Sequence, residues 1–128
     1  MKEMLMSFGL LFLRVAAGAG IAYHGYGKVF GGHMDKMVEG VASLGFPMPV
    51  VFAWAAALSE FGGGILIVIG FLTRPAAFLV FATMSVAAFM VHAADPLSVK
   101  ELALAYWVIS GALILTGAGK ISLDGFKK

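Results

Sequence analysis

Four runs of about 20 residues, almost unbroken in apolar side chains, dominate this chain. They cover residues 4–23, 49–72, 75–93 and 102–119. A helix in lipid satisfies its own backbone hydrogen bonds, and about 20 residues carry it across the hydrocarbon layer. The runs therefore predict transmembrane helices. Charged residues make up only 12% of the 128, roughly half the share in an ordinary soluble domain. A soluble domain of this size has too much surface to cover with so few. High hydrophobicity excludes disorder as well. The expected fold is all-α: an integral membrane four-helix bundle forming a single domain over residues 1–128.

The breaks between runs carry their own signals. Pro47 and Pro49 flank the second span, Thr73-Arg74-Pro75 is a tight connection, and Asp95-Pro96 is a turn after which Ser98 is placed to cap a helix reaching Glu101. Gly117, Gly119 and Lys120 end the fourth span. Between spans one and two, Met34, Met37, Val38, Val41 and Leu44 recur at helical spacing, with Asp35, Lys36 and Glu39 mostly elsewhere on the wheel. That pattern predicts a short amphipathic helix at the interface or over the bundle, the alternative being a plain connecting loop. Lys2 before an apolar run resembles a secretory leader, but Arg14 interrupts the run and three more spans follow, so no cleaved leader is expected.

Lys2, Arg74, Lys120, Lys127 and Lys128 flank one side, against Lys28, Lys36 and Lys100 on the other. This bias puts both termini in the cytoplasm. Tyr23, Tyr26, Trp54, Tyr106 and Trp107 lie near the opposite span ends, where interfacial anchors are expected. No basic block suggests nucleic acid, and the absence of cysteine removes disulfides and thiolate chemistry.

Ionisable residues inside spans are costly and face the protein interior. Arg14 and Glu60 lie at similar distances from the starts of antiparallel spans, so counting predicts that they pair. Gly18, Gly20 and Gly62–Gly64 beside them would let the backbones pack closely. His24 and Lys28 on span one and His92 at the end of span three converge at one end of the bundle. This cationic cluster with one acid suits an anionic ligand or the carbonyl oxygens of a quinone, and its histidines can move protons at neutral pH. The candidate catalytic residues are His24 and His92; the candidate ligand-binding residues are Arg14, Lys28 and Glu60. The bland alternative leaves the histidines in interfacial water and Lys28 reaching for headgroups. A haem on His24 and His92 has no further support in the sequence, and no set of residues has metal-ligand spacing.

Leu13-Arg14 with Gly18, His24-Gly25-Tyr26-Gly27-Lys28, Leu44-Gly45-Phe46-Pro47-Met48-Pro49, Glu60-Phe-Gly-Gly-Gly64, Gly70-Phe-Leu-Thr-Arg74-Pro75-Ala-Ala77 and His92 form an ordered set. In it the sequence resembles the DoxX family of small bacterial membrane proteins. The resemblance implies a four-helix bundle in the bacterial inner membrane, with a role as a redox-associated, quinone-linked oxidoreductase subunit. It also implies soluble redox or sulfur-metabolism proteins as partners. The fold alone does not fix the function. Without cysteine, a redox role must use a bound quinone, a substrate or another subunit. The competing expectation is a non-catalytic membrane scaffold that recruits or stabilises partner enzymes, with residues 25–48 as its docking surface. A transport pathway would need a homo-oligomer, for which Gly111, Ala112 and Gly117 offer a packing surface.

Overall fold

The computed structural model describes residues 1–126, with Val99 by its backbone only, and these are helical without any strand. α1 spans Lys2–Phe30, α2 Met34–Ser43, α3 Pro49–Ile69 and α4 Thr73–Val86; α5 spans Leu97–Thr116 and the short α6 Leu123–Phe126. A π-helical segment, Ala87–Val91, continues α4. Among the described residues, α1, α3 and the run Thr73–Val91 are long and apolar enough to cross a membrane. α5 is 20 residues long and packs along α4. Large apolar side chains such as Phe12, Phe78 and Leu115 point outward, as lipid-facing positions do.

α1 and α3 form the closest pairing, and glycine sets it. A Cβ on Gly18 would stand 2.8 Å from the Gly64 carbonyl oxygen; one on Gly64 would stand 2.5 Å from the Ala22 amide; one on Gly25 would stand 2.3 Å from the Phe61 amide. The two backbones therefore touch along an antiparallel line, which suits lipid, where no hydrophobic effect drives helices together. The same contact explains why α1 persists through Gly25 and Gly27 to Phe30 instead of ending near Tyr23. At 1.5 Å per residue its 29 residues reach about 44 Å, longer than the hydrocarbon layer.

α3 ends at Gly70, whose φ of 72° is the left-handed cap that glycine favours. α4 then returns along α3 with Val80 against Gly63. A core of small and branched side chains, including Ile21, Ile67, Ala77, Val80, Met84 and Leu113, runs through this row of helices. α5 closes on α1 lightly, where the Tyr106 hydroxyl rests against Gly20. Tyr106 and Trp107 are half-buried. Trp107 stacks on Phe81 at 5.4 Å and donates to Ser85 Oγ at 2.9 Å. Both pack between helices, which corrects their expected place as interfacial anchors. Ser98 makes no cap either: α5 begins at Leu97, behind Pro96.

The predicted amphipathic helix is α2. It lies on α3 at the end where α1 stops, with Val41 buried and Asp35, Lys36 and Glu39 exposed. At the other end the chain after α5 folds back. Asp124 accepts hydrogen bonds from the Leu72 and Thr73 amides at 2.9 Å each, capping α4 from across the chain. The Asp124 amide donates to the Gly70 carbonyl at 2.8 Å. Lys127 and Lys128, used above for orientation, lie outside the described residues.

Candidate functional site

Arg14 and Glu60 do not pair. Gly25, not Arg14, sits against Glu60 and Phe61, and Arg14 instead approaches Gly70. From Arg14 to Gly25 is about three helical turns, about 16 Å. Counting from span starts put the two charges level; the glycine contacts set a different register. Arg14 is 1% exposed. Its Nη1 donates to the carbonyls of Ala118 at 3.0 Å and Ile121 at 3.1 Å, and its Nη2 to Ile121 at 3.1 Å. The fork thus holds the folded-back C-terminal segment, with the nearby charge of Asp124 acting on it.

Glu60 pairs with Lys28. Lys28 Nζ lies 2.5 Å from Glu60 Oε2, with the carboxylate side chain 3% exposed and the lysine 30%. Lys28 belongs to the part of α1 beyond Tyr23, so the pair exists because α1 continues. Both residues line a cavity of about 540 Å³ between α1, α2, α3 and α4. His24 and His92 line it too. Four of the five expected site residues therefore meet in one cavity, and Arg14 is not among its walls.

Each wall has a physical origin. Phe52, Ala55 and Ala56 of α3 face Leu79, Ala82 and Val86 of α4, making an apolar slot. Met37, Gly40, Val41 and the following Phe46 roof it. His24 is exposed at the rim, its ring edge-on to Tyr106 at 6.1 Å. His92 stands where the π-helical segment ends, and its amide donates to the Ala87 carbonyl at 3.0 Å. Wide turns of this kind recur at functional sites, where they re-aim a side chain. Nδ1 of His92 lies 2.8 Å from Asp95 Oδ2. A carboxylate can only accept, so Nδ1 carries the proton and Nε2 remains for another partner.

Two further residues, His33 and Lys36, line the same cavity. Neither is among the site residues expected from the sequence, where Lys36 falls away from the apolar face of this segment. Their spacing held the signal: His33, Lys36, Met37 and Gly40 follow the i, i+3, i+4, i+7 rule that puts residues on one helix face. The cavity thus combines an apolar interior with Lys28, Lys36 and three histidines near its opening, and one acid already engaged. Chemically it can accept an apolar body and hold an oxygen-rich or anionic head.

Comparison with known proteins places these residues in context. The DoxX family model matches residues 9–93, more than half of the chain. The chain is 39% identical over 124 residues to the inner membrane protein YphA of Escherichia coli, covering 90% of this chain and 87% of that one. It is 33% identical over 135 residues to an uncharacterized protein of Haemophilus influenzae, covering 98% and 97%. With the inner membrane protein YqjF of Escherichia coli it shares 32% identity over 125 residues, covering 94% and 92%. No solved structure matches.

Proposed function

Because the chain belongs to the DoxX family, we propose that it is a multi-pass inner-membrane protein that binds a quinone or small anionic substrate as a redox-associated subunit. In this reading α5 is the fourth crossing and both termini face the cytoplasm. The cavity of about 540 Å³ is the observation that carries it, because it joins an apolar slot to His24, Lys28, Glu60 and His92. A quinone ring lies in the slot. His24 and His92 Nε2 hydrogen-bond its oxygens and exchange protons with them, the Asp95 contact fixing the His92 ring. Lys28 and Lys36 attract negative charge to the opening. The Glu60 carboxylate holds Lys28 in place. Arg14 acts through the fold, since it fastens the C-terminal segment outside this cavity.

Native mass spectrometry of the protein released gently from its own membranes tests the reading. A bound mass matching a quinone is expected. His92→Ala and His24→Ala should each lower quinone retention about tenfold, as loss of a hydrogen bond to a buried oxygen does, with helical content unchanged by circular dichroism. Retention unaffected in both variants would sink the assigned roles. A ligand-free protein carrying a co-purified protein would favour the scaffold alternative.

A further inference from the structure

The cavity beside Glu60 has a flank that faces lipid. Its cations, Lys28 and Lys36, mark the end beneath α2. Elsewhere its wall is a seam between α3 and α4, formed by Phe52, Ala55 and Ser59 on one helix and Leu79, Ala82 and Val86 on the other. In each set the residues recur three and four apart, so each set runs along one helix face. The two helices meet closely at Gly63, where a Cβ would stand 2.9 Å from Val80 Cγ2. From that contact toward α2, Ala55, Ala56 and Ala82 are too small to fill the gap.

α5 leaves this flank open. It meets α4 elsewhere, at Phe81 and Ser85, and among the described residues none of α5 lines the cavity. Phe52 is 44% exposed and Leu79 49%. Both lie inside segments long and apolar enough to cross a membrane, Pro49–Ile69 and Thr73–Val91, so their exposed surface meets hydrocarbon. From Leu79 to Val86 the seam runs about 10 Å along the helix axis. None of its six residues is charged. Thr83 beside them donates its hydroxyl to the Leu79 carbonyl at 2.9 Å, which satisfies it within its own helix. One cavity thus joins a cationic end to an uncharged flank open to acyl chains. A small water-borne anion would occupy the first and leave the second to lipid. An amphiphile occupies both.

We propose that the seam between α3 and α4 is a lateral doorway to the bilayer, and that the ligand is a membrane quinone whose isoprenoid chain stays in the seam. This rests on the quinone reading above and sets aside its alternative, a small soluble anion. The ring then enters sideways, between Ala55 and Ala82, and reaches His24 and His92 without crossing water. In lipid a chain gains no hydrophobic free energy by leaving other chains. What the seam supplies is close packing along two helix faces, so the subsite is sensitive to shape and to overfilling.

The test uses the full chain in detergent, stripped of lipid, with binding titrated by native mass spectrometry. Two probes share one ring: a ubiquinone with an eight-isoprenoid tail, and the same benzoquinone without a tail. The wild-type protein should bind the tailed probe about tenfold more tightly. Ala82→Phe fills the seam from an exposed position. It should remove most of that preference and leave the affinity for the tail-free ring within about twofold. Ala55→Phe should do the same from α3. Met6→Phe, in the wall of a second cavity of about 840 Å³ at the opposite end, should change neither affinity. Equal affinity for the two probes, or a preference unchanged in both seam variants, overturns the doorway and leaves the quinone reading standing. Binding of neither probe overturns both. A phospholipid that neither probe displaces would give the seam to a structural lipid and also overturn the proposal. If Ala82→Phe does not fold by circular dichroism, Ala55→Phe decides alone.

Discussion

Arg14 and Glu60 are the two charges buried most deeply in this protein's described residues, at 1% and 2% exposure, and their surroundings are opposite. Arg14 is enclosed by backbone: its fork meets the carbonyls of Ala118 and Ile121, and it opens onto neither end cavity. Glu60 holds one flexible lysine and faces a cavity of about 540 Å³. A guanidinium gripping carbonyls is a staple, because carbonyls belong to the chain and cannot be exchanged for a ligand. A carboxylate paired with a partly exposed ammonium is replaceable, since anything anionic in the cavity competes for the same lysine. Two charges with the same burial thus separate into a fold determinant and a site residue by what lies opposite them.

The largest expected effect follows from the staple. Arg14→Ala removes three charge-assisted hydrogen bonds and leaves two carbonyls facing a void. Each such bond contributes about 1.5–3 kcal/mol, so the loss should be about 3 kcal/mol or more, read from denaturant unfolding in detergent micelles. Arg14→Lys should recover only part of it, having no fork. A loss below about 1 kcal/mol would remove the distinction between the two ends. At the other end, Glu60→Ala should cost about 1–3 kcal/mol, less than the value for a fully buried pair because Lys28 is 30% exposed. Joining Glu60→Ala with Lys28→Met should cost clearly less than the sum of the single changes. Joining it with Arg14→Ala should be additive, because those residues share no partner. Coupling between Arg14 and Glu60 would mean the register described above is wrong.

The elements were legible in the residues, and their registration was not. Apolar run length gave the long helices, the spacing of Met34, Met37, Val38 and Val41 gave α2, and Gly18 with Gly64 announced a close helix pairing. Convergence of His24, Lys28 and His92 was also readable, since span direction alone brings them to one end, whereas Glu60 joins them only through the register that the glycine contacts set. The Arg14–Glu60 pairing failed because axial offset depends on how two glycine surfaces meet, which neither segment contains by itself. Arg14's true partners were hidden for a different reason. They are main-chain carbonyls, which every residue has, so Ala118 and Ile121 carry no chemical mark. The π-helical turn before His92 is likewise written in Ala87, Ala88, Phe89, Met90 and Val91, which distinguish no helix type.

Asp124 sharpens the comparison at a smaller scale. Its carboxylate caps α4 through the Leu72 and Thr73 amides and so ties the C-terminal segment to the α3–α4 turn. The Lys120–Glu3 pair ties the same segment to the start of α1, but both side chains there are more than 70% exposed. If fastening depends on satisfied backbone donors, Asp124→Ala should cost about 1 kcal/mol, the usual size of a lost helix cap, and Lys120→Gln should cost nothing measurable, as for exposed pairs generally. Amide hydrogen exchange separates the two cases more finely than global unfolding. Loss of the cap should speed exchange at Leu72 and Thr73 while leaving α2 untouched, because α2 sits at the far end. Equal effects from both variants would mean that surface charge, and not the cap, holds this segment. The end built around Arg14 would then be as open to exchange of partners as the end built around Glu60.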